Sequence, residues 1–291
     1  MLKSLLLFLL LTTNTVVPAN DHYENQPIHY QDKALVLMYH EVKNNNGSIA
    51  VSTDQFDKHL SMLKANGYNV ISIEQFDDFM TGKEKKIPPN AVVLTFDDGY
   101  EDFYENAYPI LQKYKMPATN FIIVKSTDVY NPDIIPHMTW EQMVEMRKNG
   151  MSFYSHTYDS HKYVAVNSKG TTAPLLGGPI YLPDKQRVET QEEYYDRIKE
   201  DLSKANDLLN SKLGNTRNII SFPYGSFSDT TIQVSKELDM HLYITIKEGI
   251  NKPGDPVATR INAGKRDFSA EELLAKMKEY DDPSTAPAAT K

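Results

Sequence analysis

One feature constrains this chain more than any other: a repeating alternation of two kinds of text. From Lys33 onward, short, continuously apolar, β-prone runs take turns with longer amphipathic stretches. The runs at 34–39 (ALVLMY), 68–72, 91–96 (AVVLTF), 118–123, 151–155, 218–222, 242–246 and 257–261 read as strands. Stretches at 54–66, 74–81, 102–115, 140–149, 191–213, 228–239 and 269–280 carry the apolar spacing of helices. Helix starts are marked by Thr139 with Gln142 three residues on, and by Ser269 with Glu272. Gly67, Gly150 and Gly214 stand where left-handed caps are expected. Strands with no internal polar alternation are buried on both faces. Strand–helix alternation therefore implies a parallel sheet covered by helices, and seven or eight units can curl shut. The expected fold is α/β, a distorted (β/α) barrel of seven or so units.

The rest of the chain divides around this body. Lys3, the apolar run Leu5 to Leu11 and the small residues at Val17 and Ala19 match a secretory signal peptide over 1–19. That run is short of the ~18 apolar residues a membrane span needs. Residues 20–32 form an N-terminal extension, 33–280 the main domain, and 281–291 (DDPSTAPAATK) a disordered tail. Residues 162–190, rich in Gly, Pro, Ser and Thr, read as a long loop at the rim of a site. The expectation is a secreted or cell-surface protein with no transmembrane segment in the mature chain, and a monomer.

Composition removes several functions. With 31 Lys+Arg against 39 Asp+Glu the net charge is -8 and no basic block is present, which argues against a nucleic-acid partner. The absence of cysteine excludes disulfide scaffolds, thiolate metal sites and thiol catalysis.

The chemistry-bearing residues gather at strand ends. Thr95-Phe96-Asp97-Asp98-Gly99 closes the run 91–96, and the C-terminal strand ends are where barrel active sites lie. Adjacent residues point to opposite sides of a strand, so Asp97 and Asp98 can do different jobs. Asp-Asp-Gly is also an ordinary turn. His156 and His161 follow the run 151–155. With Asp98 they make a two-histidine, one-carboxylate set that leaves coordination positions open; the alternative is a pair of surface histidines. Phe222-Pro223-Tyr224-Gly225 ends a third strand and is by itself only a turn signal. Trp140, the only tryptophan, is expected to pack against the barrel. His22, His29, His59 and His137 read as surface or structural.

Taken together, these motifs resemble the polysaccharide deacetylases of carbohydrate esterase family 4 over roughly residues 33–280. The resemblance implies that Asp97 is the general base and that Asp98, His156 and His161 hold a divalent metal, zinc being the usual ion. It implies that Tyr224 offers its backbone N–H to the oxyanion and that Phe222 and Gly225 shape the substrate side. Three departures stand out. The histidines are five apart where many members have four. Ile220 and Ser221 occupy the places of an arginine that orients the base, which leaves Arg260 as the candidate. The late Leu-x-x-His motif that supplies the general acid is missing, because the last histidine, His241, starts a strand. His40, in Met38-Tyr39-His40-Glu41 at the end of the first strand, is the candidate acid. That early Tyr-His resembles the branch acting on poly-β-1,6-N-acetylglucosamine in biofilms. A polymeric N-acetylglucosamine is thus the expected substrate, with Tyr158 and Tyr181 as rim contacts. Peptidoglycan, chitin or acetyl xylan, a two-carboxylate glycosidase, and a non-catalytic polysaccharide-binding surface protein are the alternatives.

Overall fold

The computed structural model describes residues 27–44, 47 and 49–285. The signal peptide, most of the N-terminal extension and most of the tail lie outside the described residues. The principal strands are β1 (Ala34–Tyr39), β2 (Ala91–Asp98), β3 (Ala118–Ile122), β4 (Met151–Ser155), β5 (Asn218–Ser221), β6 (Met240–Ile244), β7 (Val257–Ala258) and β8 (Ile261–Asn262). They hydrogen-bond in the order β7-β6-β5-β4-β3-β2-β1-β8, and Asn69–Val70 pairs with β2 beside this path. Every pairing along the path is parallel. Parallel neighbours need crossovers, which the helices supply. Those that matter here are α1 (Thr53–Ala65), α2 (Ile73–Met80), α3 (Tyr108–Tyr114), α4 (Trp140–Arg147), α5 (Gln191–Leu213), α6 (Asp229–Glu237) and α7 (Ala270–Lys278).

The sheet curls into a distorted barrel that does not close by strand pairing. β7 and β8 are its two free edges, yet only Thr259 and Arg260 separate them in sequence. Two residues bridge only a narrow gap, so the chain steps across the seam from one edge to the other. The run 257–261, expected as one strand, is therefore two short strands on opposite edges.

Alternate residues of the strands pack into different core clusters, the second faces of β5 and β6 into one with Tyr194, Ile198 and Leu202 of α5. Val36, Val93, Phe121, Tyr154, Leu242, Ile244 and Ala258 fill one cluster. Leu37, Tyr39, Leu94, Phe96, Ile122 and Phe153 belong to a second, which takes in buried side chains of α1, α4, α5 and α7. Burying each aliphatic side chain contributes roughly 1.5–3 kcal/mol. That is why most strand positions are apolar, with the buried Thr119 and Asn120 in the middle of β3 as exceptions. Capping boxes start α2, α4, α5, α6 and α7, the last with the expected Ser269–Glu272 pair. Trp140 packs half-buried against the larger core. Residues 162–190 carry more structure than a loop. Tyr163–Ala165 pairs with Thr172–Pro174, and Tyr181–Leu182 pairs with Arg187–Val188. Arg197 on α5 fastens them through Glu189 and the carbonyls of Leu175 and Gly178.

Candidate active site and metal centre

The C-terminal ends of β1, β2, β4 and β5 bring together His40, Asp97, Asp98, His156, His161 and Tyr224. Asp97 and Asp98 are almost fully buried. Backbone geometry there is unusual: Asp98, Thr157 and Tyr224 all have positive φ, at 78°, 73° and 59°. A left-handed backbone is disfavoured for side-chain-bearing residues, most of all a β-branched one, and such strain collects where a site is held in shape. Gly99, at φ 85°, has no such choice, because a Cβ there would lie 2.9 Å from Ile122 Cγ2.

Asp98 faces both histidines. Its Oδ1 lies 3.5 Å from His156 Nε2 and 3.3 Å from His161 Nε2. The three ligand atoms lie within 4.8 Å of one another. Asp98 Oδ1 is buried and has no hydrogen-bond partner among the described residues. Donors on a tetrahedral zinc with ~2.0–2.1 Å bonds stand roughly 3.3 Å apart, so the spacing and the orphaned oxygen both fit a divalent cation. His156 Nδ1 lies 2.7 Å from the Ser221 carbonyl. Donating there leaves the Nε2 lone pair for the metal. Burial pushes the His156 imidazole down to about 3, which keeps it neutral, the ligating form. Burial, with neighbouring Asp97, raises Asp98 to about 6 even though His40 draws it down.

The five-residue spacing of the histidines is accommodated by the loop between them. Thr157 N–H donates to Ser155 Oγ at 3.0 Å, and Thr157 Oγ1 accepts from Ser160 N–H at 3.1 Å. Asp201 on α5 accepts from the N–H groups of Tyr158 and Asp159 at 3.1 and 2.8 Å. Neither Thr157 nor Asp201 was visible in the sequence as part of this site.

Asp97 turns to the other side of β2 and meets Arg260. The guanidinium donates to Oδ1 at 2.8 Å and to Oδ2 at 2.7 Å, a two-pronged ion pair in which Arg260 is 1% exposed. Nε donates to the Thr245 carbonyl, and the remaining contacts go to Thr95 Oγ1 and Ser221 Oγ. The fork is aimed by the seam, since Arg260 is one of the two residues crossing it. Ser221 is small enough to leave the guanidinium its space. Burial alone pushes the Asp97 carboxyl up, but Arg260, helped by His156, holds it well below the usual carboxylate range.

His40 follows β1, half-buried, and its charge bears on both Asp97 and Asp98. His241 is exposed at the start of β6 and bonds to Asp239, at the opposite end of the barrel. Tyr224 packs against His161 with ring centroids 4.5 Å apart and the planes tilted by 38°. Tyr163, which sequence reasoning passed over, continues the row 4.7 Å from Tyr224 and is 56% exposed.

The other sequence candidates are placed as follows. Phe222 is fully buried between Phe227 and Tyr243, so it offers no surface to a substrate. The space beside Gly225 is filled by Ile246, whose Cγ1 would lie 2.6 Å from an added Cβ, rather than left open for a ligand. Tyr158 lies under Lys204 Nζ, 3.9 Å from its ring centroid, against α5. Tyr181 pairs with Val188 in the second hairpin, outside the aromatic row.

A barrel mouth with an Asp–His–His donor set beside an arginine-paired carboxylate fits metal-dependent hydrolysis. The sequence model of the polysaccharide deacetylase family matches residues 84–243, and the chain belongs to that family. It is 29% identical over 230 residues to the poly-β-1,6-N-acetyl-D-glucosamine N-deacetylase of Escherichia coli K12, covering 74% of this chain but only 34% of that protein. The Staphylococcus aureus protein of the same name is 28% identical over 249 residues, covering 80% of this chain and 79% of the relative. A solved de-N-acetylase structure from Aggregatibacter actinomycetemcomitans superposes with a TM-score of 0.76 at 30% identity, over 86% of this chain and all of that one. The fold and the donor set together support metal-dependent polysaccharide deacetylase activity.

Proposed function

We propose that the protein removes N-acetyl groups from poly-β-1,6-N-acetyl-D-glucosamine, releasing acetate and leaving free amines on the polymer. The observation that carries the chemistry is one mouth holding two separately specialised aspartates, Asp98 toward two histidines and Asp97 toward Arg260. The printed names of the E. coli and S. aureus relatives favour the β-1,6 polymer, as does the early His40 in place of a late histidine.

Asp98, His156 and His161 hold the divalent cation, with zinc the expected ion. When bound, it supplies Lewis acidity that acidifies water and polarises an acyl oxygen. Arg260 keeps Asp97 ionised throughout the working pH range and fixes its orientation. Asp97 is therefore a weak base in a well-defined place, and it takes the proton of the attacking water. The Tyr224 N–H donates to the acetyl oxygen, which becomes an oxyanion as water adds to the acetyl carbon, and His40 gives a proton to the amine as the C–N bond breaks. Tyr163, the outermost ring of the row, borders the sugar. The surplus of acidic residues attracts the cationic product polymer. Residues 1–19 act as an export signal, so the reaction takes place outside the cell. Among the described residues no helix is long and apolar enough to cross a membrane.

The test is acetate release from β-1,6- and β-1,4-linked N-acetylglucosamine oligomers by the purified protein, with and without chelator. Chelator-sensitive release confined to the β-1,6 series supports the proposal. Release confined to the β-1,4 series keeps the chemistry and overturns the substrate. Tight polymer binding without release, after zinc is restored, points to a binding protein.

A further inference from the structure

Four rings form a row running outward from the donor cluster. Centroid separations are 5.1 Å from His156 to His161, 4.5 Å from His161 to Tyr224 and 4.7 Å from Tyr224 to Tyr163. Exposure rises along it from 2% at His156 to 56% at Tyr163. One polar contact lies within the row: the Tyr224 hydroxyl is 3.2 Å from His161 Nδ1. His161 faces Asp98 with Nε2, so the phenol meets the nitrogen that a metal would leave unused.

The two histidines are thus held in parallel ways by the same stretch of chain. His156 has the Ser221 carbonyl at the end of β5, and His161 has the Tyr224 side chain in the turn that follows. That turn has little freedom. Tyr224 is left-handed, the Gly225 N–H donates to the Phe222 carbonyl at 2.8 Å, and Ile246 closes the space beside Gly225.

We propose that the Tyr224 phenol is a positioning group for His161. It accepts the Nδ1 proton, fixes the tautomer whose Nε2 lone pair faces Asp98, and holds the ring at the angle that completes the donor set. Outer-shell partners of this kind alter metal affinity by roughly 10- to 100-fold when removed. The side chain is a second contribution from the residue whose backbone N–H is assigned to the oxyanion. Cation binding and oxyanion geometry are thereby tied to one turn. The proposal rests on Asp98, His156 and His161 being the cation ligands.

The experiment compares parent, Tyr224→Phe and Tyr163→Phe proteins, each stripped of metal and titrated with zinc against a chromophoric chelator. Tyr224→Phe keeps the ring, its packing against His161 and Tyr163, and the backbone N–H. The expected result is one zinc site in all three, with affinity roughly 10- to 100-fold weaker in Tyr224→Phe alone. The unfolding midpoint of its zinc-free form should match the parent's, since a merely structural role would lower that midpoint and spare the affinity. Ring-nitrogen NMR of zinc-loaded His161 gives a second readout: the Nδ1 proton signal of the parent should shift when the phenol is removed. Zinc affinity within twofold of the parent in Tyr224→Phe overturns the proposal and leaves the ligand assignment standing. A parent that binds no zinc overturns the ligand assignment and the proposal with it.

Discussion

Replacing Arg260 with methionine removes one charge from a place water does not reach. The guanidinium is 1% exposed and the Asp97 carboxylate 2%, and each Asp97 oxygen takes one arginine N–H at 2.7–2.8 Å. Methionine roughly fills the volume but leaves Asp97 as a buried anion without its principal cation. Breaking a buried pair from one side costs about 3–5 kcal/mol. The further replacement Asp97→Asn removes that anion. What remains is the loss of contacts to Thr245, Thr95 and Ser221, about 1–2 kcal/mol. The double variant should therefore be more stable than Arg260→Met alone, by about 2–3 kcal/mol. Urea unfolding of all four proteins, with chelator present so that metal content does not intrude, closes the cycle. A double variant no more stable than Arg260→Met would refute the claim that this arginine is there to neutralise and orient Asp97. Arg260→Lys adds a geometric control. It keeps the charge without the fork, so stability should fall less than in Arg260→Met while turnover still drops steeply.

Further outcomes follow from other parts of the molecule. Asp98→Asn should lower zinc affinity by more than the roughly 10- to 100-fold of an outer-shell loss, and full zinc retention after dialysis would remove Asp98 from the ligand set. Tyr163→Ala should raise KM for oligomers with little change in kcat if Tyr163, exposed and remote from Asp97, borders the sugar as proposed; a fall confined to kcat would contradict this. His59 is fully buried, with Tyr39 Oη 3.1 Å from Nδ1 and the Phe268 carbonyl 2.8 Å from Nε2. Burial lowers its pKa, against the pull of the Phe268 carbonyl and Glu271. The unfolded histidine titrates near 6.5, so its contribution is present above that pH and is lost as pH falls toward the folded value. The drop in urea midpoint between pH 7.5 and 5.5 should be smaller in His59→Gln than in the parent, and an equal drop would show that His59 does not carry it.

What could be read from the sequence, and what could not, divides by the range of the interaction. Strand ends and helix caps are local. A continuous apolar run stopped by Asp97-Asp98-Gly99 announces a buried strand with carboxylates at its mouth, and Thr139 with Gln142 announces a helix start. The expected strand 257–261 fails because its first half pairs with β6 and its last residue with β1. Only closure of the whole sheet makes those edges neighbours. Arg260 is the residue that this closure positions, and it reaches an aspartate 163 positions earlier. Its only hints were a charged residue inside an apolar run and the lack of an arginine at Ile220 and Ser221. The hairpins in 162–190 escape for a different reason. Their strands are two or three residues long, too short for any periodicity to register. Tyr163 gains its place only through packing on Tyr224. The histidine spacing shows the limit from the other side. Five residues instead of four still deliver both Nε2 atoms to Asp98, because Thr157 takes a left-handed backbone and Asp201 pins the turn from α5. Spacing therefore constrains a metal site only as far as the intervening backbone is regular, and here the irregularity of that loop, held by two residues with no local signature, is what lets the ligand set form.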